Sequence, residues 1–170
     1  RKSPVIYRKS PSTDRLEAFF SSPELRALVD IAVAPDNSRV FAADAYKGVL
    51  VIDPVAEQAS FLSGPDTLNL GGARGIEYQN GQLFLVQGGF SPPRVVRLEL
   101  DSVSGARVET VSPMAIGLEQ FNQPGVGTIK GSDLFYFANS GQAGAEGAIV
   151  MSTPLDAGSE VAPPDMSKFE

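Results

Sequence analysis

The sequence contains no cysteine and no histidine. Without cysteine, the chain has no disulfide, no thiolate metal site and no cysteine nucleophile, and the redox state of its compartment stays open. Without histidine, it cannot form a Ser-His-Asp or Cys-His catalytic group, and it lacks the commonest ligand of transition metals.

Long apolar runs and basic clusters are missing as well. No stretch approaches the length of about 18 apolar residues that a membrane span needs. The net charge of −6, with no extended basic segment, argues against nucleic-acid binding. The 170 residues are 42% apolar, which is enough for one domain with a hydrophobic core. The sequence shows no signal peptide and does not begin with Met, so we expect a start that has been processed or trimmed.

Three apolar strands each end on a polar residue. They are "VFAAD", ending at Asp44, "LFLVQ", ending at Gln87, and "FYFAN", ending at Asn139. A shorter strand and a turn precede each one, and the Asn80-Gly81 turn is a strong hairpin signal because both residues tolerate positive φ. The polar ends lie 43 and 52 residues apart. Repeats of ~40–50 residues with four short strands each are typical of β-propeller blades.

The repeat therefore predicts an all-β fold of β-propeller blades, each a four-stranded antiparallel meander. The predicted boundaries give the end of one blade in residues 1–28, whole blades in 29–66 and 67–118, and an incomplete blade in 119–170. The segment "SSPELRALVD" is predicted to connect blades. A generic β-sandwich is the alternative, although a sandwich has no reason to repeat the whole four-strand unit. The repeat also carries aspartates that are predicted to form turns, at Asp36, Asp53, Asp101 and Asp156.

These elements amount to about three blades, which is fewer than the four to eight of a closed ring. An open array exposes apolar faces and unpaired strand edges, which proteins avoid. We therefore expect either a missing N-terminal half or a second chain, paired head to tail, that completes a ring of about six blades. By itself, the 170-residue chain is expected not to be a stable compact monomer.

The chain resembles six-bladed propellers of the SMP-30/gluconolactonase, NHL and TolB-like groups in the stretch "DIAVAPDNSRVFAADAYKGVLVID". It is more specifically similar to the C-terminal half of bacterial SMP-30-like propellers of unassigned function in "GGARGIEYQNGQLFLVQGGFSPPRVVRLELD" and "FNQPGVGTIKGSDLFYFANSG". The resemblance extends from about Val5 to Leu155. It implies a six-bladed ring and a periplasmic or secreted location, but no particular activity, because propellers carry many functions.

The polar ends are predicted to lie on one face of the ring. In each hairpin the first strand leaves that face and the second strand returns to it, which makes neighbours of Val29 and Asp44, Arg74 and Gln87, and Pro124 and Asn139. Because first strands line the channel, we predict a polar rim at the channel mouth that binds a small molecule or a peptide through Asp44, Gln87, Asn139 and Arg74. Arg74 favours an anionic or carbonyl-bearing ligand. Alternatively, the polar ends simply terminate strands by bonding to nearby backbone groups.

The resemblance also implies an alternative function, the hydrolysis of lactones with Ca²⁺ or another divalent metal. In such lactonases several metal ligands begin first strands, at the positions that correspond here to Val29, Arg74 and Pro124. Valine and proline offer no side-chain ligand, and arginine repels a cation. Asp30 is predicted to point to the opposite face of its strand. We therefore predict a non-catalytic binding protein without a cofactor, and keep as the alternative a hydrolase in which Asp44 and Asn139 support the ion.

Overall fold

The computed structural model describes residues 3–10, 12–140 and 147–158. Within these ranges the chain forms thirteen strands and no helix, so none of its described segments is a helix that could cross a membrane. In chain order the strands are β1 (Val5–Lys9), β2 (Leu16–Ser21), β3 (Leu28–Val33), β4 (Val40–Asp44), β5 (Gly48–Asp53), β6 (Gln58–Phe61), β7 (Gly75–Gln79), β8 (Gln82–Gln87), β9 (Arg94–Leu100), β10 (Val108–Ile116), β11 (Gly127–Lys130), β12 (Asp133–Phe137) and β13 (Val150–Pro154).

The strands form four antiparallel sheets in which neighbours along the chain pair with each other. We call them blade 1 (β1–β2), blade 2 (β3–β6), blade 3 (β7–β10) and blade 4 (β11–β13). Blades 2 and 3 are four-stranded meanders, and the described parts of blades 1 and 4 hold two and three strands. The predicted all-β fold of four-stranded meanders is therefore confirmed.

The hydrophobic core lies between the blades. Phe84 and Leu85 are neighbours in β8 and both are buried, but Leu85 packs against blade 2 whereas Phe84 packs against blade 4. Successive side chains of a strand point to opposite faces, so a strand that is covered on both faces is apolar throughout. At the other end of the array, Ile6 of blade 1 packs against blade 2. Each blade interface thus has its own buried cluster.

The turns follow the chemistry that the sequence predicts. Asn80 and Gly81 have φ angles of 52° and 77°, as a tight hairpin turn with two positive φ values requires. The carboxylates of Asp36, Asp53 and Asp101 accept hydrogen bonds from backbone N–H groups two or three residues further along the chain. The predicted turn-forming role of these three aspartates is confirmed.

Candidate functional site

Asp44, the last residue of β4, is fully buried and joins two loops of blade 2. Its Oδ2 accepts hydrogen bonds from the backbone N–H groups of Arg26 at 2.6 Å and Ala27 at 2.7 Å, just before β3. Its Oδ1 accepts from those of Tyr46 at 2.9 Å and Lys47 at 3.0 Å, in the turn before β5. Burial raises the pKa of Asp44, but these four donors outweigh burial, and the net pKa lies below the usual value of an aspartate.

Gln87, the last residue of β8, has a corresponding role in blade 3. Its Nε2 donates to the backbone carbonyls of Asn69 at 3.0 Å and Gly71 at 2.7 Å, in the segment before β7. Its Oε1 accepts from Nε of Arg94 at 2.7 Å, at the start of β9. The guanidinium of Arg94 also lies 4.0 Å from the ring centroid of Phe90, and burial lowers the pKa of Arg94.

Asn139 bonds to the segment before β13. Its Nδ2 donates to the carbonyl of Gly147 at 2.9 Å, and its Oδ1 accepts from the N–H of Ile149 at 2.8 Å. The exposed fractions of Asp44, Gln87 and Asn139 are 0%, 0% and 7%. All three side chains are therefore paired within their own blades, which is the role expected of residues that terminate strands. Ligand binding through them stays a prediction.

Asn139 is also out of step with the other two polar ends. In blade 3 the N–H of Arg74 donates to the carbonyl of Val86 at 2.8 Å, one residue before the polar end. In blade 4 the corresponding bond runs from Gly125 to Phe137 at 2.9 Å, two residues before Asn139. The predicted equivalence is therefore wrong for Asn139 by one residue, because pairing register, and not residue type, decides which side chain faces the loop.

Arg74 differs from the polar ends because it is exposed. It lies on the wall of a cavity of about 450 Å³ between blades 2 and 3. The other wall residues lie at the start of β3, in the segment before β7 and just after Asp44 and Gln87, and they include Val29, Tyr46, Asn69 and Phe90. Among the described residues, the Arg74 side chain has neither a hydrogen bond nor an ion pair, so no salt bridge to the polar ends closes the rim. A guanidinium thus faces a cavity with partly apolar walls.

A row of backbone hydrogen bonds crosses the blades beside this cavity. Ala45 donates to Ala27 at 2.9 Å, Gly72 donates to Ala45 at 2.8 Å, and Gly89 donates to Gly72 at 2.9 Å. Gly72 has a φ of +75°, and a Cβ atom there would lie 2.6 Å from the carbonyl carbon of Gly89. Glycine is needed at this position both for its backbone conformation and for the close approach of the two chains.

Two carboxylates lie on neighbouring first strands, β3 and β7. Oδ2 of Asp30 accepts a hydrogen bond from the N–H of Ile76 at 3.0 Å, which joins blades 2 and 3. Burial, and then the charge of Asp30, raise the pKa of Glu77. In the described part of the chain, no group of three or more acidic residues is placed to hold a metal ion.

A larger cavity, of about 590 Å³, lies where the turns of blades 2 and 3 meet. Its polar walls include Arg39 and Asp101, which already have partners within the chain. Arg39 pairs with Asp53 at 3.0 Å, and the Asp101 carboxylate accepts from the hydroxyl of Ser104 at 2.5 Å. The smaller cavity is the better candidate for an anionic ligand, because its unpaired charged side chain is the guanidinium of Arg74, whereas among the described residues that of the larger cavity is the carboxylate of Glu109.

Sequence reasoning found Arg74 but missed Tyr46, Asn69 and Phe90 as wall residues. Two Gly-Gly pairs, at Gly71–Gly72 and Gly88–Gly89, were an available signal. They flank the wall residues Asn69 and Phe90, and glycine pairs often mark close backbone approaches.

No family model and no curated protein matches the chain. Among solved structures, it is similar to a β-propeller chain in the crystal structure of a nidogen/laminin complex, with a TM-score of 0.63 and 19% sequence identity. The match covers 79% of this chain and 49% of that chain. The chain is an array of β-propeller blades. It spans about half the length of this neighbour, and the likeness shows the fold alone. The narrower resemblance to the SMP-30 group stays a prediction.

Proposed function

We propose that the chain belongs to a non-catalytic β-propeller that binds an anionic or carbonyl-bearing small molecule or peptide in the Arg74 cavity. The observation that carries this proposal is the exposed guanidinium on a partly apolar wall, without a partner among the described side chains. Guanidinium pairs well with carboxylate and phosphate oxygens, and the side chains of Val29 and Phe90 suit the apolar body of a ligand. In this proposal Asp44 and Gln87 hold the loops of the site, and Arg74 contacts the ligand.

The same proposal places the chain in a six-bladed ring. The half-length match to a propeller and the SMP-30-like stretches support it. The remaining blades would come from an N-terminal half or from a second chain. The bacterial origin and the periplasmic or secreted location rest on the SMP-30 resemblance.

Titration with benzoate and phenyl phosphate, followed by calorimetry and amide chemical shifts, tests the binding proposal. We expect saturable binding that shifts the amides of Asn69, Gly72 and Phe90. Arg74→Gln should weaken it about tenfold or more, because a charged hydrogen bond is lost. Benzyl alcohol, which has the ring without the anion, should bind more weakly.

Arg15→Gln is the matched control, since Arg15 is also exposed but does not line the Arg74 cavity. It should bind the anions as the unmodified chain does. The proposal fails if no anion binds saturably, or if the two arginine variants bind equally well.

Metal-dependent lactone hydrolysis is the alternative function, and the pair of carboxylates on β3 and β7 is the feature that favours it. Asp30 already accepts the Ile76 N–H, and Glu77 has a raised pKa owing to burial and then to Asp30. Titration with Ca²⁺, Mg²⁺, Mn²⁺ and Zn²⁺ alongside a lactone-hydrolysis assay separates the two functions. Stoichiometric metal binding together with turnover would favour the hydrolase.

A further inference from the structure

Strand β1 has an open edge. It pairs with β2 on one side, and within the described residues no strand pairs with its other side. The third strands of blades 2 and 3, β5 and β9, are instead paired on both sides. Because β1 and β2 pack on blade 2 as a third and a fourth strand would, the positions of a first and a second strand lie beside this edge.

Matched positions in two blades show what this region lacks. Ile31 pairs with Ala42, two residues before the end of β4, and Ile76 pairs with Leu85, two residues before the end of β8. The two isoleucines therefore occupy the same place in their blades. Ile76 is 2% exposed because blade 2 covers it, whereas Ile31 is 44% exposed. Val33, on the same face as Ile31, is 45% exposed.

An apolar groove of about 460 Å³ lies over these residues. Its walls include Ile6, Tyr7, Phe19, Ile31 and Val33. It continues the buried interface at which Ile6 and Phe19 already pack against blade 2. Strands β1 and β2 therefore cover the outer part of this face of blade 2, and the groove is the inner part of the same face, which stays uncovered.

We propose that this groove is the docking site of a β-hairpin from a separate polypeptide segment, which supplies the first and second strands of blade 1. Its second strand would pair antiparallel with the Val5–Lys9 edge. Its apolar face would cover Ile31 and Val33, as blade 2 covers Ile76. This inference rests on the proposed ring, but it does not depend on ligand binding at Arg74.

A second copy of the chain suits this groove less well than a hairpin does. Blade 4 already has a third strand, β13, paired with β12. As third strands, β13 and β1 run in the same direction within their blades. Joining their edges would give a five-stranded sheet with a parallel pair, and an antiparallel meander would require that β1 displace β13. A hairpin without a third strand meets neither obstacle.

A fusion that carries a copy of residues 75–93 ahead of the full chain tests the proposal, because it supplies the β7–β8 hairpin at high local concentration. We expect the amides of Val5–Lys9 to exchange with solvent about tenfold more slowly than in the unmodified chain. A tenfold change corresponds to about the free energy gained when one aliphatic side chain is buried. A fusion with Phe84→Ser and Val86→Ser in the copied segment alone should lose this protection, because in blade 3 these two side chains are the ones that pack against the following blade.

Ile31→Asp provides the second arm. It should destabilise the fusion more than the unmodified chain, because Ile31 is covered only in the fusion. Unchanged exchange of Val5–Lys9 in the fusion, or an equal effect of Ile31→Asp in both proteins, would overturn the proposal. So would an unmodified two-copy assembly in which the β1 edge is already protected. Benzoate binding is measured at blades 2 and 3, so a failure of the ligand-binding proposal can be distinguished from a failure of the docking proposal.

Discussion

Asp44 satisfies four backbone N–H groups with one buried carboxylate. Asp44→Ala removes the acceptor and leaves these donors without a partner, at about 1–3 kcal/mol for each donor that stays dry. Since water can enter the space of the side chain, we expect the free energy of unfolding to fall by about 3 kcal/mol in urea denaturation. Asp66→Ala is the control, because Asp66 is exposed. Equal stability of the two variants would contradict the assigned role.

The same residue gives stability a dependence on pH. The folded-state pKa of Asp44 lies below its unfolded value, although burial alone would raise it, because four backbone donors stabilise the carboxylate. The hydroxyl and then the backbone N–H of Ser104 lower the pKa of Asp101 to about 2. For groups with a depressed pKa, the stabilisation is present above the unfolded value and is lost as pH falls through the folded value. We expect the urea concentration at the unfolding midpoint to decrease as the pH is lowered from about 4 towards 2. The decrease should be smaller in Asp44→Asn.

The pKa of Glu77 is shifted in the opposite direction to the pKa values of Asp44 and Asp101. Burial and the charge of Asp30 raise its pKa, so its ionised form destabilises the folded state at neutral pH. The penalty shrinks as pH falls below the folded pKa and is gone below the unfolded pKa, where the carboxyl group is neutral in both states. We expect Glu77→Gln to raise the free energy of unfolding at neutral pH, with a gain that shrinks on acidification. A gain that is independent of pH would show that the charge of Glu77 is not the cause.

At the scale of strands and loops, the close approach of Gly72 and Gly89 fixes the contact between blades 2 and 3. Gly72 and Gly81 have similar φ angles, 75° and 77°, but a Cβ atom meets nothing within 4 Å at Gly81 and crowds Gly89 at Gly72. Gly81→Ala should therefore cost about 1 kcal/mol of unfolding free energy through backbone strain. Gly72→Ala should cost about 3 kcal/mol, because it adds a steric clash. Similar losses in the two variants would argue against a tight loop contact.

The strands and hairpins were predictable because they depend on local patterns. Buried runs such as that around Phe84 and the Asn80-Gly81 turn carry their own signals. For the polar ends, the sequence left ligand binding and bonding to nearby backbone groups open as alternatives. It could not specify the partners, since the backbone groups around Asp44 come from segments on both sides of it. The pairing register of the strands was not predictable either. The bulge between Leu28 and Asp30 in β3, and the one-residue offset of Asn139, arise from pairing that no local pattern specifies.

At the scale of the whole molecule, the blades are unequal. Blades 2 and 3 are four-stranded and buried between neighbours, and the Arg74 cavity lies between them. Both ends of the described array present apolar residues to solvent, Ile31 and Val33 at one end and Phe137 and Val150 at the other. Stability should therefore decrease from the middle blades outwards, as in other arrays of repeats.

Residue-resolved amide hydrogen exchange of the isolated chain tests this account most directly. The rigid frame of the Arg74 cavity lies in blades 2 and 3, and the outer faces of the described array are open. We predict the slowest exchange in β4, β5, β8 and β9, and exchange in β1 and β11 that is faster by about tenfold or more. Uniform protection from β1 to β13 would contradict it, because the outer faces would then already be covered.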